Sequence, residues 1–205
     1  MSKHELSFPQ FDSTLFDLQW RGSDHYDLIG YCQSEKYWKH CEDEIRQNFT
    51  FSDEVRGVAS DMLPEGVLVS VHVRRGDYTS ISDYHTNLAK EYYDDAMSMF
   101  PDYIPVFFSD DIKWCMDTFS SVKSAVFMDH GSRINLDPRV TSDGSAYVDM
   151  CCMSMCNAHI IANSSMSWWG AYLGRGKTVA PKTWFGPKGP QDWHDIYPDY
   201  DWTLL

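Results

Sequence analysis

The stretch Val67-Leu68-Val69-Ser70-Val71-His72-Val73-Arg74-Arg75-Gly76-Asp77-Tyr78 restricts the folds open to this chain more than any other. Its first half is β-branched and apolar with no clean alternation, the pattern of a strand buried on both faces in a sheet covered by helices. Its second half places one His, two Arg, one Gly and one Asp where that strand gives way to a loop. An arginine stays charged and can grip a phosphate with two parallel donors. Gly76 lets the backbone turn sharply or approach a ligand closely. Strand alternation sends His72 and Arg74 to one side and Arg75 to the other. Asp77 then orients an arginine or caps the following turn. The residues fit an anion site; an ordinary surface Arg–Asp ion pair is the alternative. An Arg-Gly-Asp adhesion triplet fits poorly, because the triplet abuts a buried strand.

The rest of the chain supplies the sheet. At 205 residues there is room for one good core with a small appended layer. Beyond residue 66 the pattern predicts strands at 67–73, 105–109, 125–128, 159–162 and 177–180, separated by helices at about 87–100, 111–119, 145–157 and 165–173. Such alternation builds right-handed βαβ units, and so a Rossmann-like α/β fold with a mostly parallel sheet. Upstream, residues 1–26 read as an irregular arm, 28–32 as a short strand, 34–48 as a helix capped by Ser34, and 52–62 as a second helix. The expected division is an N-terminal arm and helical region, 1–65, and a Rossmann-like domain, 66–205. Polar residues gather after the strands: His72–Asp77, Ser109-Asp110-Asp111, Asp129-His130 and Asn163-Ser164-Ser165. In a parallel sheet these positions share the carboxyl edge, where ligands bind. Ser109 or Asp110 is expected to cap the next helix. Ser164 and Ser165 open another, whose free N–H groups favour a phosphate. Trp168 and Trp169 read as core packing.

A net charge of −13 argues against nucleic acid, which needs a basic surface. No apolar run approaches the ~20 residues of a membrane span. The opening Met1-Ser2-Lys3-His4-Glu5 lacks the apolar core of a signal peptide, so a cytoplasmic chain is expected. The six cysteines form no CxxC pair; Cys152, Cys156 and His159 can share a helix face, but core packing explains them better than zinc. Glu42-Asp43-Glu44 reads as a solvated helix face, and Asp199-Tyr200-Asp201 as a DxD spacing with little claim on a metal.

Five blocks resemble the α-1,2-fucosyltransferase family of inverting GT-B enzymes. They are HVRRGDY at 72–78, FFSDDIKW at 107–114, HIIANSSMSWWGAYL at 159–173, DLIGYCQSEK at 27–36 and VAPKTWF at 179–185. The resemblance implies transfer of L-fucose from GDP-fucose to a galactoside acceptor without a metal or other cofactor. It places Arg74, and with it Arg75, on the donor pyrophosphate, and His72 and Asp149 against the guanine. Asp110, Asp111, Asn163, Ser164 and Ser165 would line the rest of the nucleotide site. Arg74 and Asp77 are the residues expected at the reacting centre, Asp77 chiefly by orienting an arginine. The family pattern opens with a glycine-rich GGxGNQ block, and none precedes Asp27 in this sequence. The expectation is therefore a donor-binding half with a remnant of the other. A second reading is a GDP-sugar-binding chain whose cleft is completed by a partner chain or a second copy of itself.

Overall fold

The computed structural model describes residues 2–18, 25–129, 145–199 and 202–205. The N-terminal region is more ordered than its polar sequence suggests. β1 (Ser2–Glu5) pairs in parallel with β2 (Tyr26–Ile29), two residues upstream of the strand expected at 28–32. Backbone pairing rather than an apolar face makes this strand, so periodicity does not reveal it. Leu6 extends the ladder by donating to the Ile29 carbonyl at 2.8 Å, and it packs on Gly30, where a Cβ would lie 2.7 Å from its own.

The helix expected at 34–48 is broken. Ser34 caps as foreseen, its hydroxyl accepting from the Lys36 amide at 3.3 Å, but it starts a 3-10 turn at Glu35–Tyr37. A second such turn, Lys39–Cys41, precedes α1 (Glu42–Asn48). The cause is Glu35, which is buried: one carboxylate oxygen accepts from Lys39 Nζ at 3.0 Å and from the Asp199 amide at 2.9 Å. A regular helix would not hold that side chain beneath the tail and Trp38 at the wall of a cavity described below. α2 (Asp53–Met62) follows, capped by Ser52.

From there the expected alternation holds. β3 (Leu68–Val73), α3 (Lys90–Ser98), β4 (Ile104–Ser109), α4 (Ile112–Thr118) and β5 (Val126–Phe127) precede the undescribed residues 130–144. α5 (Ser145–Met155), β6 (Ala158–Ile160), α6 (Ser165–Gly174) and β7 (Lys177–Ala180) come next. β8 (Thr203–Leu204) was not foreseen, because two residues in a Pro/Trp-rich tail carry no periodic signal. All six strands of this sheet run parallel, in the order β5-β4-β3-β6-β7-β8. The chain builds outward from β3, returns to its other side at β6, and builds outward again, so the strand order reverses between β3 and β6. In doubly wound sheets the crevice at the carboxyl end of that reversal is where ligands bind.

β3 is buried along its whole length. Val69, Val71 and Val73 pack with Tyr93, Phe107 and Phe119 on one face. Leu68 packs on the other with Phe108, Val148 and Cys152. Cys152 and Cys156 are core residues: their thiols donate to the carbonyls of Ala59 and Cys152, and burial pushes the Cys156 thiol up to about 12.

His159 is a polar residue fully buried in this core. Its Nδ1 lies 3.0 Å from Ser70 Oγ, its Nε2 is enclosed without a partner, and burial lowers its pKa to about 4. Gly174 and Gly176 make its room, since a Cβ on either would sit within 2.7–2.8 Å of Nε2. As pH falls below the unfolded value near 6.5, the unfolded chain takes up a proton that the folded chain refuses. Stability is therefore lost between about pH 6.5 and 4, at up to roughly 1.4 kcal/mol per pH unit for this group. Urea unfolding at pH 7, 6 and 5 should show that acid slope, and His159→Gln should flatten it. An unchanged slope in the variant would assign the acid sensitivity elsewhere.

Candidate functional site at the strand-order reversal

β3 and β4 pair with Val73 opposite Ser109, which sets the loops that follow them side by side. Arg74 leaves the strand toward the crevice. Its Nη2 donates to Asp77 Oδ1 at 2.7 Å and its Nη1 contacts Asp110 Oδ2 at 2.9 Å. Asp110 also accepts the Arg75 backbone N–H at 2.9 Å, tying the two loops together. Gly76 is required beside it, because a Cβ there would lie 2.3 Å from Asp110 Oδ2. Arg75 points the other way, as alternation requires. Its Nε donates to Asp111 at 3.2 Å and its guanidinium covers the Trp114 ring at 4.0 Å. Arg75 lines neither cavity at the crevice.

The paired aspartates thus divide their work, and the expected helix cap moves by one residue. Asp111, not Ser109 or Asp110, caps α4 by accepting from the Trp114 amide at 3.2 Å. Ser109 accepts from the Asp111 amide at 2.9 Å. Asp110 is left for the arginines because its carboxylate faces back across the sheet edge.

The third loop belongs to β6. Asn163 is buried, and its amide donates to the carbonyls of Thr86 at 2.9 Å and Trp184 at 2.7 Å. The Asn163 backbone carbonyl accepts from Tyr78 Oη at 3.1 Å, joining this loop to the Arg74 loop. Ser164 occupies the cap position of α6 but makes no side-chain cap bond, so the first-turn amides are left for another acceptor. The β3, β4 and β6 loops foreseen at one edge therefore meet. Asp129 is described, whereas His130, Tyr200 and Asp201 lie outside the described residues.

Two hollows flank the α6 N-terminus. A cleft of about 420 Å³ is lined by Arg74, Tyr78, His85, Asn163, Ser164 and Ser165, among others. An aromatic chamber of about 740 Å³ is lined by Trp38, Tyr147, Met150, Trp168 and Trp169, among others. Tyr31, Gln33, Ser165, Met166 and Trp184 line both, so they form one groove. Trp168 is buried, its indole donating to the Ile196 carbonyl at 2.8 Å, as core packing predicts. Trp169 departs from that expectation: it stacks between Trp38 and Phe49 and lines the chamber wall.

His72 and Asp149 are buried and line neither hollow. Burial, reinforced by Arg74, lowers the His72 pKa to about 3, so its ring is neutral. Among the described residues no group of three His, Cys, Asp or Glu is placed to hold a metal ion. Sequence reasoning missed Gln33, Trp38, Tyr84 and His85 as lining residues. Gln33 and Trp184 lie inside blocks already singled out at 27–36 and 179–185; Tyr84 and His85 sit in a polar loop with no pattern of their own.

The division between the aspartates is open to measurement. Asp111→Ala should lower stability by about 1 kcal/mol through loss of the cap. Asp111→Asn, which keeps a capping oxygen, should cost less. Equal losses in urea unfolding would place the effect in the Arg75 ion pair instead.

Residues 2–202 match the family model described as Glycosyl transferase family 11. The chain is 34% identical to an alpha-1,2-colitosyltransferase of Escherichia coli, over 89% of this chain and 65% of that protein. It is 28% identical to the Escherichia coli O-antigen biosynthesis glycosyltransferase WbnK, over 90% of this chain and 64% of that one. Galactoside alpha-(1,2)-fucosyltransferase 1 of Rattus norvegicus is 29% identical over 74% of this chain and 43% of its own length. The matched part of the chain thus spans less than two thirds of each of these curated relatives. With a family model matched along nearly its whole length, the chain belongs to glycosyl transferase family 11.

Proposed function

We propose that the chain transfers L-fucose from GDP-fucose to the 2-hydroxyl of a terminal galactoside, with inversion and without a metal. The observation that carries this reading is Arg74, fixed by Asp110 beside the uncapped N-terminus of α6 at the strand-order reversal. Both features favour an anion, and together they suit a diphosphate lying across the junction of cleft and chamber. The chamber is the room for the nucleoside. Tyr147 and Trp169 offer ring faces there, and its α5 wall belongs to the helix that carries Asp149.

The reaction is a single displacement. The acceptor hydroxyl oxygen attacks the anomeric carbon and gives up its proton to water, while the bond from that carbon to the phosphate oxygen breaks, through an oxocarbenium-like transition state. Negative charge grows on the leaving GDP, where Arg74 and the α6 amides meet it. Asp77 acts on the guanidinium rather than on the sugar. Its side chain is 60% exposed, whereas that of Asp110, at 26%, is also held by the Arg75 amide. Displacing Asp77 opens one edge of Arg74 to phosphate while Asp110 keeps the other in place.

The similarity to a protein named as a colitosyltransferase favours one variant of this reading. Colitose is L-fucose without its 3-hydroxyl, so the same diphosphate grip would serve either donor.

Calorimetry with GDP tests the grip, and turnover of GDP-fucose and GDP-colitose on lactose tests the chemistry. Arg74→Ala should lower transfer by about 10²–10³-fold. Near-wild-type transfer in that variant would defeat the mechanism. GDP binding without turnover would assign the chain a binding role completed by a partner.

A further inference from the structure

The groove has two ends, and the donor reading occupies only one of them and the middle. At the other end of the Arg74 cleft stands a rim of rings that no step above uses. The His85 ring lies flat on Tyr78, with centroids 4.3 Å apart and planes 7° apart. Tyr84 meets His85 edge-on at 5.0 Å and Phe185 at 5.9 Å, and His85 meets Phe185 at 5.8 Å. Tyr78 in turn sits 5.2 Å from the Arg74 guanidinium carbon, so the rim is one ring away from the proposed leaving group.

We infer that this rim, centred on Tyr84, His85 and Phe185, is the acceptor subsite and takes the pyranose ring of a β-galactoside. The inference rests on the donor reading for the identity of the cleft, and on four features of its own. First, galactose presents a contiguous C–H face beneath its axial 4-hydroxyl, and such a face packs on an aromatic ring. Tyr84 is 43% exposed and lines the cleft, so its ring is available for that contact.

Second, the rim is built rigidly from two loops. His85 bridges to Phe185 in antiparallel fashion, the Tyr84 carbonyl accepts from the Gly186 amide at 2.8 Å, and the Asp83 carbonyl accepts from the Lys188 amide at 2.7 Å. Lys188 and Asp83 also form an ion pair at 2.7 Å. Gly189 permits the approach, since a Cβ there would meet the Tyr84 carbonyl and Phe185 at 2.7 Å. A site held this way loses little freedom when it binds.

Third, Gln33 lines the same cleft and brings a side-chain amide, with donor and acceptor capacity, to the groove that a sugar's hydroxyls would enter. Fourth, the rim does not compete for the diphosphate. Burial lowers the His85 pKa, with Arg74 adding to the shift and Asp77 opposing it, so the imidazole is uncharged. Arg74 is the cation that lines the cleft. Phosphate is drawn to one end, and a neutral, ring-lined site remains at the other.

Lactose binding decides the matter without requiring turnover. Calorimetry or ligand-observed NMR on the full chain, with and without saturating GDP, should detect lactose binding to the wild type. Tyr84→Ala should weaken it by about tenfold, while Tyr84→Phe, which keeps the ring, should bind as the wild type does. The GDP dissociation constant should stay within about twofold in both variants, because neither change reaches the diphosphate grip. A wild-type chain that fails to bind lactose, or a Tyr84→Ala chain that binds it unchanged, overturns the subsite. Failure of the wild type to bind GDP counts against the donor reading instead, and lactose binding measured without GDP still decides the rim.

Discussion

The Asp110 carboxylate is the joint on which the site turns. β3 and β4 pair in a register that puts Val73 against Ser109, so the first residues beyond the two strands face each other. Asp110 then accepts from the Arg75 backbone N–H with one oxygen and holds the Arg74 guanidinium with the other. Gly76 leaves the space that second oxygen fills. The Arg74 side chain is 34% exposed, and ion pairs so open to water contribute only about 0–1 kcal/mol to stability. Three charges gathered at such small stabilising return are better explained by what they orient than by what they stabilise. A guanidinium fixed in direction before a ligand arrives has less freedom to lose on binding.

The arginines illustrate how far alternation can be trusted. Two adjacent residues with the same side chain take opposite parts because the strand's two-residue period persists one step past its last ladder bond. Arg74 enters the cleft. Arg75 lies over Trp114 and pairs with the residue that caps α4, so it fixes the position of the helix behind the site. Treating both as phosphate ligands overlooks that division. The same holds for Asp110 and Asp111, which read as a pair in the sequence and serve different elements in the fold.

What was legible in the sequence had local causes. The apolar run of β3, the second helix expected at 52–62 and the small residues opening α6 are each decided within a few residues, and each stands where expected. What escaped depends on distant partners. β1 exists because β2 lies 21 residues beyond its end to pair with it, and β8 because β7 offers an open edge. The helix expected at 34–48 yields to Glu35, whose burial is fixed by an amide 164 positions away. Tyr84 and His85 acquire a meaning only when the loop after β7 closes over them. The site follows the same rule: Arg74 and its Asp77 partner are written in one contiguous block, while Asp110, the α6 N-terminus and the ring-lined walls come from segments that no window of sequence contains together.

That assembly explains why the N-terminal segment matters to a site centred on a Rossmann sheet. Tyr31 and Gln33 line both hollows, yet they arrive through Cys32, which holds a positive φ of 47° without being glycine. A backbone in that region costs on the order of 1–2 kcal/mol for an L-residue, so neighbouring contacts must impose it. Those contacts are close at hand: Ser34 and Glu35 are buried, Glu35 is tied to Lys39 and the Asp199 amide, and Lys36 pairs with Asp195. The tail thus clamps residues 34–39 and presents Gln33 to the groove that Arg74 also lines. A net charge of −13 would by itself repel a nucleotide sugar, but over distances beyond a Debye length of about 8 Å that repulsion is largely screened. Inside the groove the local arrangement governs: one oriented cation, one uncapped helix end, and walls brought from both ends of the chain.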